Sequence, residues 1–137
     1  MAYAKFHVEV LTPEGVVFDD EVEMASTRTV TGVIGVLARM APLLGALEPC
    51  ELRLYRSESE IVRYAAAEGY IQVGDNHAML LVEEAHDPGA LDVAQLRERV
   101  SLAESEIASA EEGTEKHRQA LRDKRRWETF LEIAAER

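Results

Sequence analysis

The sequence predicts an α+β chain in two parts. Residues 1–87 read as an antiparallel β-sandwich or flattened barrel, and residues 88–137 as an antiparallel α-helical hairpin. Three observations predict this. Apolar residues recur at every second position up to about Asp87 and at every third or fourth position beyond it. Pro88 and Gly89, in "HDPGALD", punctuate the change of period. Hydrophobic residues make up 47% of the 137, enough to build a core in a chain of one ordinary domain or two small units.

The first strand is "KFHVEV", with Phe6, Val8 and Val10 on one face and His7 and Glu9 on the other. "TPEG" follows as a turn through Pro13 and Gly15. "EVEM" sets Val22 and Met24 against Glu21 and Glu23, and "ELRLYR" sets Leu52 and Leu54 against Arg53 and Tyr55. "SESE" (Ser57 to Glu60) is a polar turn, and "IVRYAAA", "YIQV" and "HAMLLV" are further strands. "GDN", Gly74 to Asn76, joins the last two as a hairpin. Short, closely spaced strands with no helical period between them favour the sandwich or barrel.

Beyond Pro88, Asp92 is placed to cap a helix, with Gln95 three residues on as in a capping box. Val93, Leu96, Val100, Ala103, Ile107 and Ala110 then form a narrow seam on one face. "EEGT" breaks the helix at Gly113, and a second helix begins near Glu115 with Ala120, Trp127, Leu131 and Ala134 on one side and Phe130 beside them. Two helices of about 18–20 residues joined by a short break form an antiparallel hairpin. Much of the seam is alanine, which buries little area, so the hairpin needs a partner surface to be stable. An element that can choose between two surfaces is a candidate switch.

Formal net charge is −11, and the acidity is uneven. Residues 1–88 carry 15 acidic side chains against 6 basic, whereas residues 113–137 carry 7 basic against 5 acidic. An acidic body argues against nucleic acid as a partner. No window reaches the roughly 20 apolar residues of a membrane span, and "MAYAKFHVEV" lacks a signal-peptide pattern, so the expectation is a soluble, cytoplasmic protein free to dock on a membrane complex. The lone Cys50 excludes an internal disulfide and reads as a small buried hydrophobe; an enzyme built on it would need a histidine partner in space.

No catalytic constellation is evident. "EEGTEK" lacks the glycine spacing and Lys-Ser/Thr ending of a phosphate loop. His7, His77, His86 and His117 are scattered without metal-ligand spacing, and "HVE" and "EEAH" read as surface-strand polar positions. The expectation is no metal and no cofactor. In "KHRQALRDKRR", Arg118, Arg122, Arg125 and Arg126 gather on one broad helix face. That face is either solvated with internal pairs, such as Arg122 and Arg126 near Asp123, or a cationic surface for an acidic partner.

The stretch "GVLARMAPLLGAL", Gly35 to Leu47, is mostly apolar and fixed by Pro42. Proline makes it a poor uninterrupted helix or central strand. Val36, Leu37, Leu43 and Leu44 are expected to fill the core.

A small β-sandwich followed by a helical hairpin, with these segments in this order, resembles the epsilon subunit family of F-type ATP synthases. "VEVLTPEGVVF" is similar to the family's first strand and hairpin, and "TGVIGVLARMAPLLGAL" to its Gly-x-x-Gly stretch and loop ending in Ala-Pro-Leu. "AAAEGYIQVGDNHAMLLVEEA" is similar to its last two strands, and "LDVAQL" to the start of its first C-terminal helix. The sequence departs from the family pattern at Ala38, Arg39 and Met40, where Pro-Gly-His or Pro-Arg-His is usual, at Val33, where an acidic residue is common, and at Glu68, which replaces a glycine.

The resemblance implies a non-catalytic rotor subunit. Its β part would couple the gamma subunit to the membrane ring of c subunits during proton-driven synthesis, with Arg39, Met40 and Pro42 in the contacting loop. Its hairpin would brake ATP hydrolysis by meeting the beta subunit through Arg118, Arg122, Arg125 and Arg126. It would lie peripherally on the cytoplasmic face of the bacterial plasma membrane, held there by the complex. The family's ATP-binding pattern is only partly present. Leu91 and Asp92 match, Gln95 and Leu96 stand in place of Arg-Ala, and Arg126 fits one second-helix position while Phe130 occupies the next. Asp92 and Arg126 are thus weak ATP candidates, and ATP binding is expected to be weak or absent. The alternative is a free-standing β-sandwich interaction module that homodimerises through its helical hairpin.

Overall fold

The computed structural model describes residues 3–136. They divide into two compact units, one ending at Asp87 and the other beginning at Pro88.

The first unit is a β-sandwich of ten strands: β1 (Phe6–Thr12), β2 (Gly15–Val22), β3 (Met24–Thr29), β4 (Gly32–Val36), β5 (Leu43–Leu47), β6 (Cys50–Tyr55), β7 (Ile61–Ala66), β8 (Gly69–Gly74), β9 (His77–Val82) and the short β10 (Ala85–His86). Their hydrogen-bonded order is β10-β7-β6-β3-β5-β8-β9-β1-β2, with β4 on β3. Every pair is antiparallel except β1 with β9, where His7 lies beside His77 and Leu11 beside Leu81. Parallel neighbours need a long crossover, and here the whole of β2 to β8 supplies it.

The period-two segments bury the faces the pattern indicates. Phe6, Val8 and Val10 of β1, Leu52 and Leu54 of β6, and Ile71 of β8 are fully buried and join one core. Each such side chain contributes about 1.5–3 kcal/mol through burial. The "EVEM" segment differs from its reading as one alternating strand. The chain turns a corner at Glu23, between β2 and β3, and Glu23 is buried. Its N–H donates to the carbonyl of Tyr55 over 2.7 Å, and its Oε1 accepts the N–H of Tyr3. The Tyr3 bond offsets part of the cost of burying the carboxylate there.

The β8–β9 hairpin turns on Asp75 and Asn76, both left-handed with φ of 50° and 59°. That is the two-residue primed turn matching the twist of the strands. Gly69, at the start of β8, faces the adjacent strand so closely that a Cβ would lie 1.8 Å from the Leu81 carbonyl oxygen. Only glycine fits.

The second unit holds a single 3-10 turn (Pro88–Ala90) and two helices, α1 (Val93–Ser109) and α2 (Glu115–Ala135). Asp92 caps α1, its Oδ1 accepting the N–H of Gln95 over 3.1 Å. Gly113, at φ 87°, makes the break, and Thr114 caps α2 by accepting the N–H of His117. On α1 the expected seam turns inward at Leu96 and Ala103, while its first member, Val93, is exposed. On α2 the inward stripe is rotated from its sequence reading. Phe130 and Ile133 are buried with Ala120, whereas Leu131 and Ala134 are only half-buried. Phe130 is large and meets Trp127 edge-on, with ring centroids 5.7 Å apart, so it takes the centre.

Candidate functional site

The Gly35–Leu47 stretch becomes the end of β4, a loop and β5. Val36 is buried and Leu43 packs against the core, as expected. Leu37 and Leu44 do not. Leu37 is 40% exposed and Leu44 77% exposed. In β5 the side chains alternate, so a core-facing Leu43 forces Leu44 outward. Pro42 stands just before β5, where its missing N–H disrupts no ladder. Arg39 sits at the loop's turn with φ 61°, and its N–H donates to Asn76 Oδ1 over 2.9 Å. Met40 is exposed beside it.

Leu44 has apolar company. Tyr70 on β8 and Leu81 on β9 are register partners, and both are exposed. β5, β8 and β9 are adjacent strands, so these side chains share the outer face of one sheet region. Scattered exposed leucines are ordinary, but a grouped apolar face next to a pinned loop is the usual mark of a contact surface.

The arginines of α2 behave differently from one another. Arg118 and Arg122 converge on Glu115, at 3.2 and 2.8 Å. Arg122 also donates to Gln119 Oε1, and Arg118 donates to the Gly113 carbonyl, tying the helix to the break. Arg122 therefore pairs with Glu115, while Asp123 accepts from Gln119 Nε2 over 2.9 Å. The hydrogen bonds from Arg122 and then Arg118 hold the Glu115 carboxyl below its ordinary range. Arg126 stacks on Trp127, 5.2 Å from the ring centroid, and Arg99 of α1 lies over the same ring at 4.8 Å. Lys124 reaches Glu104 across the hairpin at 3.8 Å. Of the two weak nucleotide candidates, Asp92 serves as the α1 cap and Arg126 stacks on Trp127.

Cys50 is half-buried, with its Sγ 3.4 Å from Thr27 Oγ1. Burial pushes its thiol above the ordinary range, the opposite of an activated nucleophile.

Two histidines that are scattered in the sequence meet on the sheet. His7 and His77 are register partners across the parallel β1–β9 pair, with ring centroids 5.4 Å apart. Glu9 Oε1 lies 2.8 Å from His77 Nε2, and His7 Nε2 contacts Asp19 Oδ1. Local spacing carries no trace of this, since it arises from a pairing between the beginning and the end of the β unit.

The fold and these surfaces define a class, a β-sandwich with an exposed apolar face and, in the second unit, a helical hairpin with a basic second helix. Residues 5–88 match the model of the ATP synthase delta/epsilon chain β-sandwich domain. The ATP synthase epsilon chain of Persephonella marina is 36% identical over 94% of this chain and 96% of its own length. That of Halalkalibacterium halodurans is 31% identical over 93% and 96%. Among solved structures, a chain of the Euglena gracilis mitochondrial ATP synthase superposes with a TM-score of 0.80 at 20% identity, covering 98% of this chain and 84% of that one. The chain belongs to the ATP synthase delta/epsilon family. None of its described helices is long and apolar enough to cross a membrane.

Proposed function

We propose that this chain is the epsilon subunit of a rotary F-type ATP synthase, a non-catalytic part of the central stalk. Its β unit, residues 1–87, couples the gamma subunit to the c-subunit ring during proton-driven ATP synthesis. Its hairpin, residues 88–137, slows ATP hydrolysis by engaging the beta subunit. The protein lies peripherally on the cytoplasmic face of a bacterial plasma membrane, held there by the complex.

The observation that carries this reading is the match, over more than nine-tenths of both chains, to bacterial relatives named ATP synthase epsilon chain. Supporting the coupling role are the loop of Arg39, Met40 and Pro42, pinned through Asn76, and the apolar face of Leu44, Tyr70 and Leu81 beside it. An ordered loop loses little entropy on docking. Supporting the brake is the basic face of Arg118, Arg122, Arg125 and Arg126 on a helix of an otherwise acidic chain.

The test adds this protein, or its 1–88 fragment, to a catalytic head depleted of the subunit and follows ATP hydrolysis. Slowing by the full chain and not by the fragment supports the brake. If the full chain leaves the rate unchanged, the brake fails. Coupling is tested separately by co-purification with gamma, which both forms should achieve.

A further inference from the structure

We propose that the outer face of β9, β1 and β2 holds one divalent transition-metal ion of the zinc class, between His7, Glu9, His77 and Asp19. This inference is independent of the rotor reading.

The four side chains come from three neighbouring strands, and the ladder fixes their backbones. His7 and His77 are direct partners across β1–β9, and Glu9 and Asp19 are direct partners across β1–β2. One ligand atom each from His7, Glu9 and His77 lie within 4.8 Å of one another. Two imidazoles bound through Nε2 to one tetrahedral ion, at about 2.0–2.1 Å, place their ring centroids roughly 5 Å apart. The observed separation is 5.4 Å. Asp19, in contact with His7, is the nearest candidate for a fourth ligand.

The cluster also has a nitrogen without an aligned hydrogen bond. His77 Nε2 is buried and makes no hydrogen bond. Glu9 Oε1 stands 2.8 Å from it but off the line a hydrogen bond requires. An orphaned buried nitrogen costs free energy unless something occupies it. A cation placed between it and the Glu9 carboxylate satisfies both, and takes over the close contact of His7 with Asp19.

The donor set selects the ion. Two imidazole nitrogens and two carboxylate oxygens suit zinc and its neighbours, whereas magnesium and calcium prefer oxygen alone. Two carboxylates neutralise the dication. Glu21, the register partner of His7 on β2, adds to the negative field.

The test titrates the full-length, metal-free protein with zinc sulfate by calorimetry near neutral pH. The expected result is one equivalent bound at micromolar affinity, weakened about tenfold or more in both His7→Gln and His77→Gln, and unchanged in His86→Gln. Cobalt should give the intense visible absorption of a four-coordinate ion, lost in His77→Gln. Zinc should raise the Tm of the parent and not of His77→Gln, and the metal-free melts of the two should coincide because the imidazole is half-exposed. The proposal is overturned by no saturable binding at millimolar zinc, by affinity equal in parent and both histidine variants, or by magnesium displacing zinc at equal concentration.

Discussion

The backbone N–H of Arg39 donates to the side chain of Asn76 over 2.9 Å, and both residues hold left-handed backbone. Two turns distant in sequence are thereby locked into one. Asn76 also donates from Nδ2 to the Lys5 carbonyl and accepts the His7 N–H on its own carbonyl. Asn76→Ala removes the side-chain clamp and strains the turn. We expect a loss of about 1–2 kcal/mol in urea unfolding, and less for Asn76→Gly, which tolerates the positive φ. In both variants the Arg39 amide should exchange with solvent faster.

Gly69 should be intolerant of any side chain. Gly69→Ala must push β8 from β9, because its Cβ would overlap the Leu81 carbonyl. A loss of roughly 3–5 kcal/mol is expected. Gly45→Ala is the matched control. Its Cβ meets Ile71 at an ordinary 3.6 Å, and the change should stay within about 1 kcal/mol.

Glu115 should give the hairpin an acid sensitivity. Its folded pKa lies below its unfolded value because Arg122 and Arg118 hydrogen-bond the carboxylate. The stabilisation is therefore present above the ordinary carboxylate range and is lost as pH falls through the depressed folded value. Carbon-detected NMR titration should find Glu115 titrating below the ordinary value for a glutamate side chain. Glu115→Gln should flatten the helical signal between neutral and acid pH.

Leu44 should matter for association and not for folding. At 77% exposure, Leu44→Ser should shift stability by no more than about 0.5 kcal/mol. Under the proposed coupling role it should weaken binding to gamma by about tenfold, measured by surface plasmon resonance. Unchanged binding would remove this face from the interface.

ATP should bind weakly or not at all. Asp92 is engaged as a helix cap, Arg126 stacks on Trp127, and Gln95 and Leu96 supply no cation beside them. Isothermal titration with micromolar affinity would overturn this expectation.

The strands were legible where one face is buried and the other wet, as in Phe6, Val8 and Val10 against His7 and Glu9. Legibility failed where both faces are apolar or both polar. Leu43 and Leu44 look alike in sequence, yet strand alternation sends one to the core and the other to the surface. In β3, serine and threonine mask the alternation, and Thr27 and Thr29 are in fact buried. On α2, apolar residues at 127, 130, 131, 133 and 134 outnumber the inward positions, so pattern alone could not choose Phe130 and Ile133 over Leu131 and Ala134. The apolar loop and basic helix were visible from composition and proline placement. The meeting of His7 with His77 was not, because no local period encodes a parallel pairing across about seventy residues.

That pairing also sets an order of events during synthesis. β1 can form its hairpin with β2 as soon as both have left the ribosome, but its other edge must wait for β9. Until Val82 emerges, the first strand carries an open, partly apolar edge, the kind that recruits stray chains. Closure by β9 is the non-local, entropically slow step. It can be completed while the hairpin helices are still being translated, so the nascent β unit should become protease-resistant before the chain is finished.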